Sequence, residues 1–226
     1  MKLYSSKVAP SPKKVLVFIA EKNIDNIEII NIDLAQLEHK TPEYKKIAPN
    51  SKIPALVLDA DTIILETTAI CRYLEELYPS PNLFGENPIE IASIEMWYSR
   101  ITNELMYPLM IGFRHTHPAM SQIENQFPDY GLSQRENAKN SLRIFDKILF
   151  ENEYVAGQRF TYADIQMAVS LQFLVGLNKI RLVIGPGPGF LIGSGARVRF
   201  PPLPSGDGPV PDGGKFDSKD SVGGQP

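Results

Sequence analysis

The sequence predicts a small α/β domain followed by an all-helical domain. Three observations predict it. Strand and helix signals alternate over residues 1–78, a Pro- and Gly-containing joint follows at 79–88, and only helical periodicity runs through 89–178. The remaining segment, 179–226, has a composition unlike the rest.

In chain order, Lys2-Leu3-Tyr4 is a short strand candidate. Val15, Phe18 and Ile19 fall on one helical face, with Ala20 beside them. Ile27 to Ile32 reads as a strand because β-branched residues dominate it. Pro42 to Ile47 suits a single helical turn, and Ala55–Leu58 and Thr62–Leu65 read as two strands joined by Asp59-Ala60-Asp61. Ala69, Ile70, Tyr73, Leu74 and Leu77 mark an amphipathic helix that stops at Tyr78-Pro79. After the joint, Ile94, Trp97, Ile101 and Leu105 keep near-helical spacing, and Leu142, Phe145 and Leu149 form a second run. A third run, Ile165 to Leu177, is apolar almost all round and therefore predicts burial.

The tail is set apart by its breakers. Of the 16 Gly and 19 Pro in the chain, 11 Gly and 8 Pro lie in 179–226, too many for a helix or a central strand through 185–189 or 201–214. Few large apolar residues remain there to offset ordering entropy, so 179–226 is expected to be mostly disordered.

Composition excludes several classes. With 26 acidic against 23 basic residues, the net charge of −3 lacks the basic face a nucleic-acid binder needs. A single cysteine excludes a disulfide framework or a thiolate metal cluster, and three histidines leave little for a His-rich site, so no metal is expected. The longest apolar run, Val15 to Ala20, falls far short of the ~20 residues of a membrane span. It is also too short for a signal core, and Glu21-Lys22 stand where a cleavage site should be, which makes a cytoplasmic location the expectation.

Three motifs then carry a resemblance. Asn50-Ser51-Lys52-Ile53-Pro54-Ala55-Leu56 is followed by Glu66-Thr67-Thr68-Ala69-Ile70 and Tyr73-Leu74, and later by Val155-Ala156-Gly157 with Phe160-Thr161-Tyr162-Ala163-Asp164. Each is weak alone, but in this order and at these separations the chain resembles the cytosolic glutathione S-transferases, nearest the bacterial theta and nu-like members. The resemblance implies a thioredoxin-like N-terminal domain (1–78), a linker (79–88) and an all-α domain (89–178). Relatives end with one or two further helices that close the substrate pocket. Here the helical pattern stops near Leu177-Asn178-Lys179, so those C-terminal helices are expected to be missing, through either an alternative tail or a change of reading frame.

The same resemblance implies site roles. Glutathione offers a zwitterionic γ-glutamyl end, a thiol and a terminal carboxylate. Pro54 would be cis and would turn the Ile53 backbone toward the ligand, to pair like an added strand. Glu66 would take the α-ammonium. Thr67 would take the α-carboxylate with a helix N-terminal N–H, while also capping the helix that carries Cys71. His39 and Lys52 would bind the glycine carboxylate.

Catalysis needs the thiolate, and lowering a thiol pKa from ~8.5 to ~6.5 takes roughly 2.7 kcal/mol. The usual theta-type serine position falls on Ala9 and the beta-type cysteine position on Pro10. The third place of the nu-like Thr-Pro-Asn falls on Ser11, which leaves Ser11 as the donor, with Ser6 a distant second. Ser11 followed by Pro12 also reads as an ordinary helix N-cap, and Lys13 and Lys14 as solvated charges. Cys71, mid-helix among core residues, reads as a small hydrophobe. Thr161 and Asp164 read as a capping box. Tyr107, Met110, Arg114 and His115 are candidates for the second-substrate pocket. The implied activity is conjugation of reduced glutathione, a co-substrate rather than a bound cofactor, to a small hydrophobic electrophile in a detoxifying homodimer. The alternatives are a glutathione-dependent disulfide reductase and a non-catalytic binding or scaffold protein.

Overall fold

A computed structural model describes residues 1–59, 62–178, 190–192 and 196–198. One sheet has the strand order β2-β1-β3-β4. β1 (Lys2–Ser5) runs parallel to β2 (Glu28–Asn31) and antiparallel to β3 (Ala55–Val57), which pairs antiparallel with β4 (Ile63–Leu65). A parallel neighbour requires a crossover, and α1 (Pro10–Glu21) supplies it.

Side-chain alternation divides the sheet between two cores. Leu3 and Leu56, paired across β1 and β3, are fully buried with Val15 and Phe18 of α1 and Ile70 and Leu74 of α3 (Thr67–Leu77). Their neighbours Tyr4 and Ala55 belong to a second, smaller cluster with Ile32 and Tyr44, the latter on α2 (Pro42–Ile47).

The larger core continues without a break into the helices. Phe84, from the joint, packs against Tyr162 with ring centroids 4.6 Å apart and planes tilted by 34°, and Phe18 of α1 meets both rings. Tyr162 N–H also donates to the Leu83 carbonyl. The helical part consists of α4 (Pro88–Arg100), α5 (Tyr107–Thr116), α6 (Pro128–Glu151) and α7 (Tyr162–Asn178). A π-helical turn, Ile101–Met106, joins α4 to α5. Pro108 follows in the first turn of α5, where its ring would collide with the carbonyl four residues back in a regular helix.

The start of α7 is fixed by Asp164. Its carboxylate accepts the Thr161 N–H and hydroxyl, both at 2.8 Å, and the Val155 N–H at 2.8 Å. The apolar run that forms α7 predicts burial, and the helix buries much of it as far as Leu174. Ile165, Met167, Val169, Leu171 and Leu174 are all buried, because α7 packs against α1, α4, the π turn and α5 at once. Exposed apolar side chains stand instead on α4, at Ile89, Ile91 and Met96, and on α6, at Leu132, Ile144 and Phe150. In the Gly/Pro-rich segment an antiparallel pair, β5 (Phe190–Ile192) with β6 (Ala196–Val198), stands where no element is expected. It lies between the two richest breaker stretches, and the rest of the tail, with the question of further helices, lies outside the described residues.

Candidate active site

At one edge of the sheet, a polar pocket of about 170 Å³ is lined by Ser11, Asn50, Lys52, Ile53, Pro54, Leu65, Glu66 and Thr67. Residues from three separate stretches of sequence therefore meet at one point. The Ile53–Pro54 peptide is cis. The β3 ladder begins only at Ala55, so the Ile53 backbone stands outside the sheet register. Lys52 is held from two sides. The Tyr44 hydroxyl donates to its carbonyl at 2.8 Å, and its N–H donates to Asn50 Oδ1 at 3.1 Å.

Glu66 follows β4 and caps α3 with φ +70°, a backbone conformation costly for a residue with a side chain, at about 1–3 kcal/mol. Its side chain is exposed and makes no capping bond. The expectation that Thr67 caps α3 is corrected, because Glu66 occupies the cap and Thr67 is the first helical residue. The Thr67 hydroxyl instead donates to the Ser11 carbonyl at 3.3 Å, tying the start of α3 to the start of α1. Both helices point their N-terminal ends at the pocket, where unpaired N–H groups and the helix dipole favour an anion.

The reading of Ser11 as a cap is corrected in the same way. α1 begins at Pro10 with Ala9 at the cap, which places Ser11 in the first turn rather than before it. Pro10 and Pro12 have no N–H, so of the four N-terminal groups only those of Ala9 and Ser11 can donate. Solvated Lys14 is a further correction. It is only 7% exposed, because α1 turns it toward the helical part, with its ammonium 5.9 Å from the Tyr98 ring centre. Burial pushes its pKa down to about 8, partly offset by Cys71 and Glu66.

Cys71 is fully buried, and burial pushes its thiol up to about 12, which leaves it protonated at neutral pH. It bonds to Tyr162, whose hydroxyl lies 3.3 Å from Thr68 Oγ1. Thr68 is in turn 2.7 Å from the Tyr98 hydroxyl, which makes a polar knot behind the pocket. Ser6 is buried, outside the pocket lining. His39 sits on the short turn Glu38–Lys40 and is absent from the lining. Burial, then Lys40, lowers its pKa.

A second cleft, of about 280 Å³, adjoins the start of α1 and is mostly apolar. Lys7, Val8, Pro10 and Lys13 form one wall, and Val169, Gln172 and Phe173 of α7 the other. Tyr107, Met110, Arg114 and His115 are not among its lining residues. Tyr107 is exposed, Arg114 pairs with Glu124, and His115 Nδ1 accepts the Phe127 N–H at 3.2 Å. Sequence reasoning missed the α7 residues because nothing local shows which face of an all-apolar helix meets a loop 160 residues earlier. Asn50 and Leu65 were missed as lining residues, although Asn50 opens the motif that carries Pro54. No helix among the described residues is long and apolar enough to cross a membrane, and no group of acidic, His or Cys side chains among them is placed to hold a metal ion.

Comparison with known proteins decides the family. Residues 9–77 match the glutathione S-transferase N-terminal domain, and residues 100–182 match its C-terminal domain. Glutathione S-transferase 2 of Saccharomyces cerevisiae is 36% identical over 176 residues, covering 76% of each chain. The chain belongs to the glutathione S-transferase family. Among solved glutathione S-transferases, the yeast Gtt2 structure superposes with a TM-score of 0.74 at 34% identity, over 80% of this chain and 88% of that one. A glutathione S-transferase domain-containing protein of Marinobacter aquaeolei gives 0.72 at 33%, over 79% and 88%. Glutathione S-transferase F10 of Arabidopsis thaliana is 29% identical over 76% of this chain and 81% of its own. The chain thus has a thioredoxin-like sheet domain followed by a helical domain, and membership of the family supports glutathione binding. None of these four matches carries a theta or nu name.

Proposed function

We propose that this chain conjugates reduced glutathione to a small hydrophobic electrophile, with no further cofactor, as a cytoplasmic homodimer. The observation that carries the reading is the meeting of Glu66, Thr67, Ile53–cis-Pro54, Lys52 and Ser11 in one pocket at two helix N-termini. The Glu66 carboxylate suits the α-ammonium of the γ-glutamyl group. The free N–H groups of the first turn of α3 suit its α-carboxylate, the Ile53 backbone suits the cysteinyl backbone, and Lys52 suits the glycine carboxylate.

The thiol loses its proton to solvent, and the sulfur lone pair forms a new bond to the electrophilic carbon. Either a leaving group departs with its bonding pair, or the displaced π pair takes a proton. Ser11 would donate its hydroxyl hydrogen to the thiolate, with the Ser11 N–H and the dipole of α1 adding to the stabilisation. The adjoining apolar cleft against α7 suits the electrophile and gives the proximity that a bimolecular addition needs.

Titration calorimetry of the full chain with reduced glutathione tests binding. Micromolar to millimolar affinity is expected, weakened at least tenfold in Glu66→Ala. The Ser11→Ala variant tests chemistry. It should lose at least tenfold in kcat/KM with glutathione affinity nearly unchanged, and an unchanged rate removes Ser11 from the mechanism. The usual catalytic positions hold Ala9 and Pro10, which favours a second reading, a non-catalytic glutathione-binding scaffold. Binding without turnover across an electrophile and disulfide screen selects that reading.

A further inference from the structure

The cleft beside α1 carries charge of one sign only. Val8, Pro10, Val169 and Phe173 give it an apolar body, and its polar lining consists of Lys7, Lys13 and Gln172, with no carboxylate. Neither lysine pairs with a carboxylate among the described residues. Lys7 is exposed, whereas Lys13 is half-buried, and burial lowers its pKa. The opening turn of α1, to which Lys13 belongs, holds no acidic residue, and the helix N-terminus adds positive potential of its own.

This arrangement selects an occupant by charge. A wholly apolar occupant would take water from the Lys13 ammonium and return no acceptor, and a polar group buried without a partner is costly. An occupant with an anionic group supplies the acceptor and gains from the same field. The cleft therefore discriminates by penalty as well as by attraction. Glutathione does not account for the two lysines. Neither lines the polar pocket, where Lys52 and the free N–H groups of α3 suit its carboxylates.

We propose that the electrophile taken by this cleft is an anion, an apolar body bearing one carboxylate that Lys13 holds with Lys7 and Gln172. The inference rests on the proposed conjugation and names the substrate class of that reaction.

The test compares two electrophiles that differ only in charge. One is the chlorodinitrobenzoate with chlorine para and both nitro groups meta to the carboxylate, and the other is its methyl ester. With either, the thiol proton leaves to solvent, the glutathione sulfur bonds to the chlorine-bearing ring carbon, and chloride departs with its bonding pair. The kcat/KM of each is divided by its own uncatalysed rate constant with glutathione. The carboxylate should then be favoured at least tenfold. The preference should shrink as salt rises from about 0.05 to about 0.5 M. It should fall toward one in the double variant Lys7→Gln/Lys13→Gln and survive in Lys13→Arg.

Turnover of both compounds without preference overturns this inference and leaves conjugation standing, as does a preference that the double variant keeps. Turnover of neither removes conjugation instead. The inference is then read from calorimetric binding of the two ready-made glutathione conjugates, where the carboxylate conjugate should bind at least tenfold more tightly than its ester. Equal affinity, or no binding of either, overturns it. So does a double variant that weakens plain glutathione as much as the carboxylate conjugate, because the lysines would then serve glutathione. If the double variant fails to fold, the acid–ester comparison and its salt dependence on the unaltered chain still decide.

Discussion

The two ends of α1 treat a buried lysine in opposite ways. At the C-terminal end, Lys22 is fully satisfied. Its ammonium lies 2.8 Å from a Glu75 oxygen and donates to the Tyr78 and Pro81 carbonyls at 2.6 and 2.7 Å. Glu75 also accepts the Leu83 N–H at 3.1 Å, so one ion pair pins α1, α3 and the joint between the two parts. At the N-terminal end, Lys14 is nearly as buried but faces an aromatic ring. Around it, Ser11 follows an uncapped helix start and Glu66 holds a strained backbone. Lys22 is paired where it holds the two parts together, and Lys14, near the polar pocket, has no carboxylate partner among the described residues. A buried cation left so is a feature that functional sites share.

The contrast is open to direct tests. The largest effect should come from Lys22→Met. It leaves the buried Glu75 carboxylate without its cation and should cost about 3–5 kcal/mol, read as a fall in the denaturation midpoint. Adding Glu75→Leu should recover much of the loss, which separates the stranded charge from the lost packing.

Lys14→Met should act in the opposite direction. The folded-state pKa of Lys14 lies near 8 against an ordinary 10.5. The unfolded chain therefore binds more protons between those values, and stability rises with pH across that window. At pH 7 the ammonium is buried at a cost, so Lys14→Met should stabilise the chain by about 2 kcal/mol and flatten the rise between pH 8 and 10.5. A variant no more stable than the wild type at pH 7 would show that Lys14 is better solvated than its burial implies.

The smallest effect belongs to the pair Arg72–Glu95, 3.0 Å apart, with side chains 42% and 51% exposed. Glu95→Gln should change stability by less than about 0.5 kcal/mol. A loss comparable to that of Lys22→Met would mean that exposed and buried pairs share the work of holding the two parts together.

Much of the fold was legible in advance because its signals are local. The strand of β-branched residues before Asp33, the single turn opened by Pro42 and the helix stopped before Pro79 each depend on a few neighbouring residues. The polar pocket was legible for a related reason. Its residues sit in short motifs, Asn50 to Leu56 and Glu66 to Ile70, whose backbone geometry is set within the motif. Thr67 and Ser11 were each misplaced by one or two positions in their caps. Both cases turned on how the preceding residue leaves a strand or loop, which the side-chain pattern does not record.

The sequence by itself determined the order of elements, the break between a mixed and a helical part, and the short motifs around Pro54 and Glu66 whose residues meet in the polar pocket. Periodicity, breakers and short motifs act over a few residues and need no knowledge of distant contacts. Tertiary structure alone decided that Lys14 is buried, that α7 rather than the end of α5 walls the cleft beside α1, and that Arg135 is seated against Gly112. Each of these depends on which distant element excludes water from a side chain, and exclusion of water is a property of packing, not of local sequence.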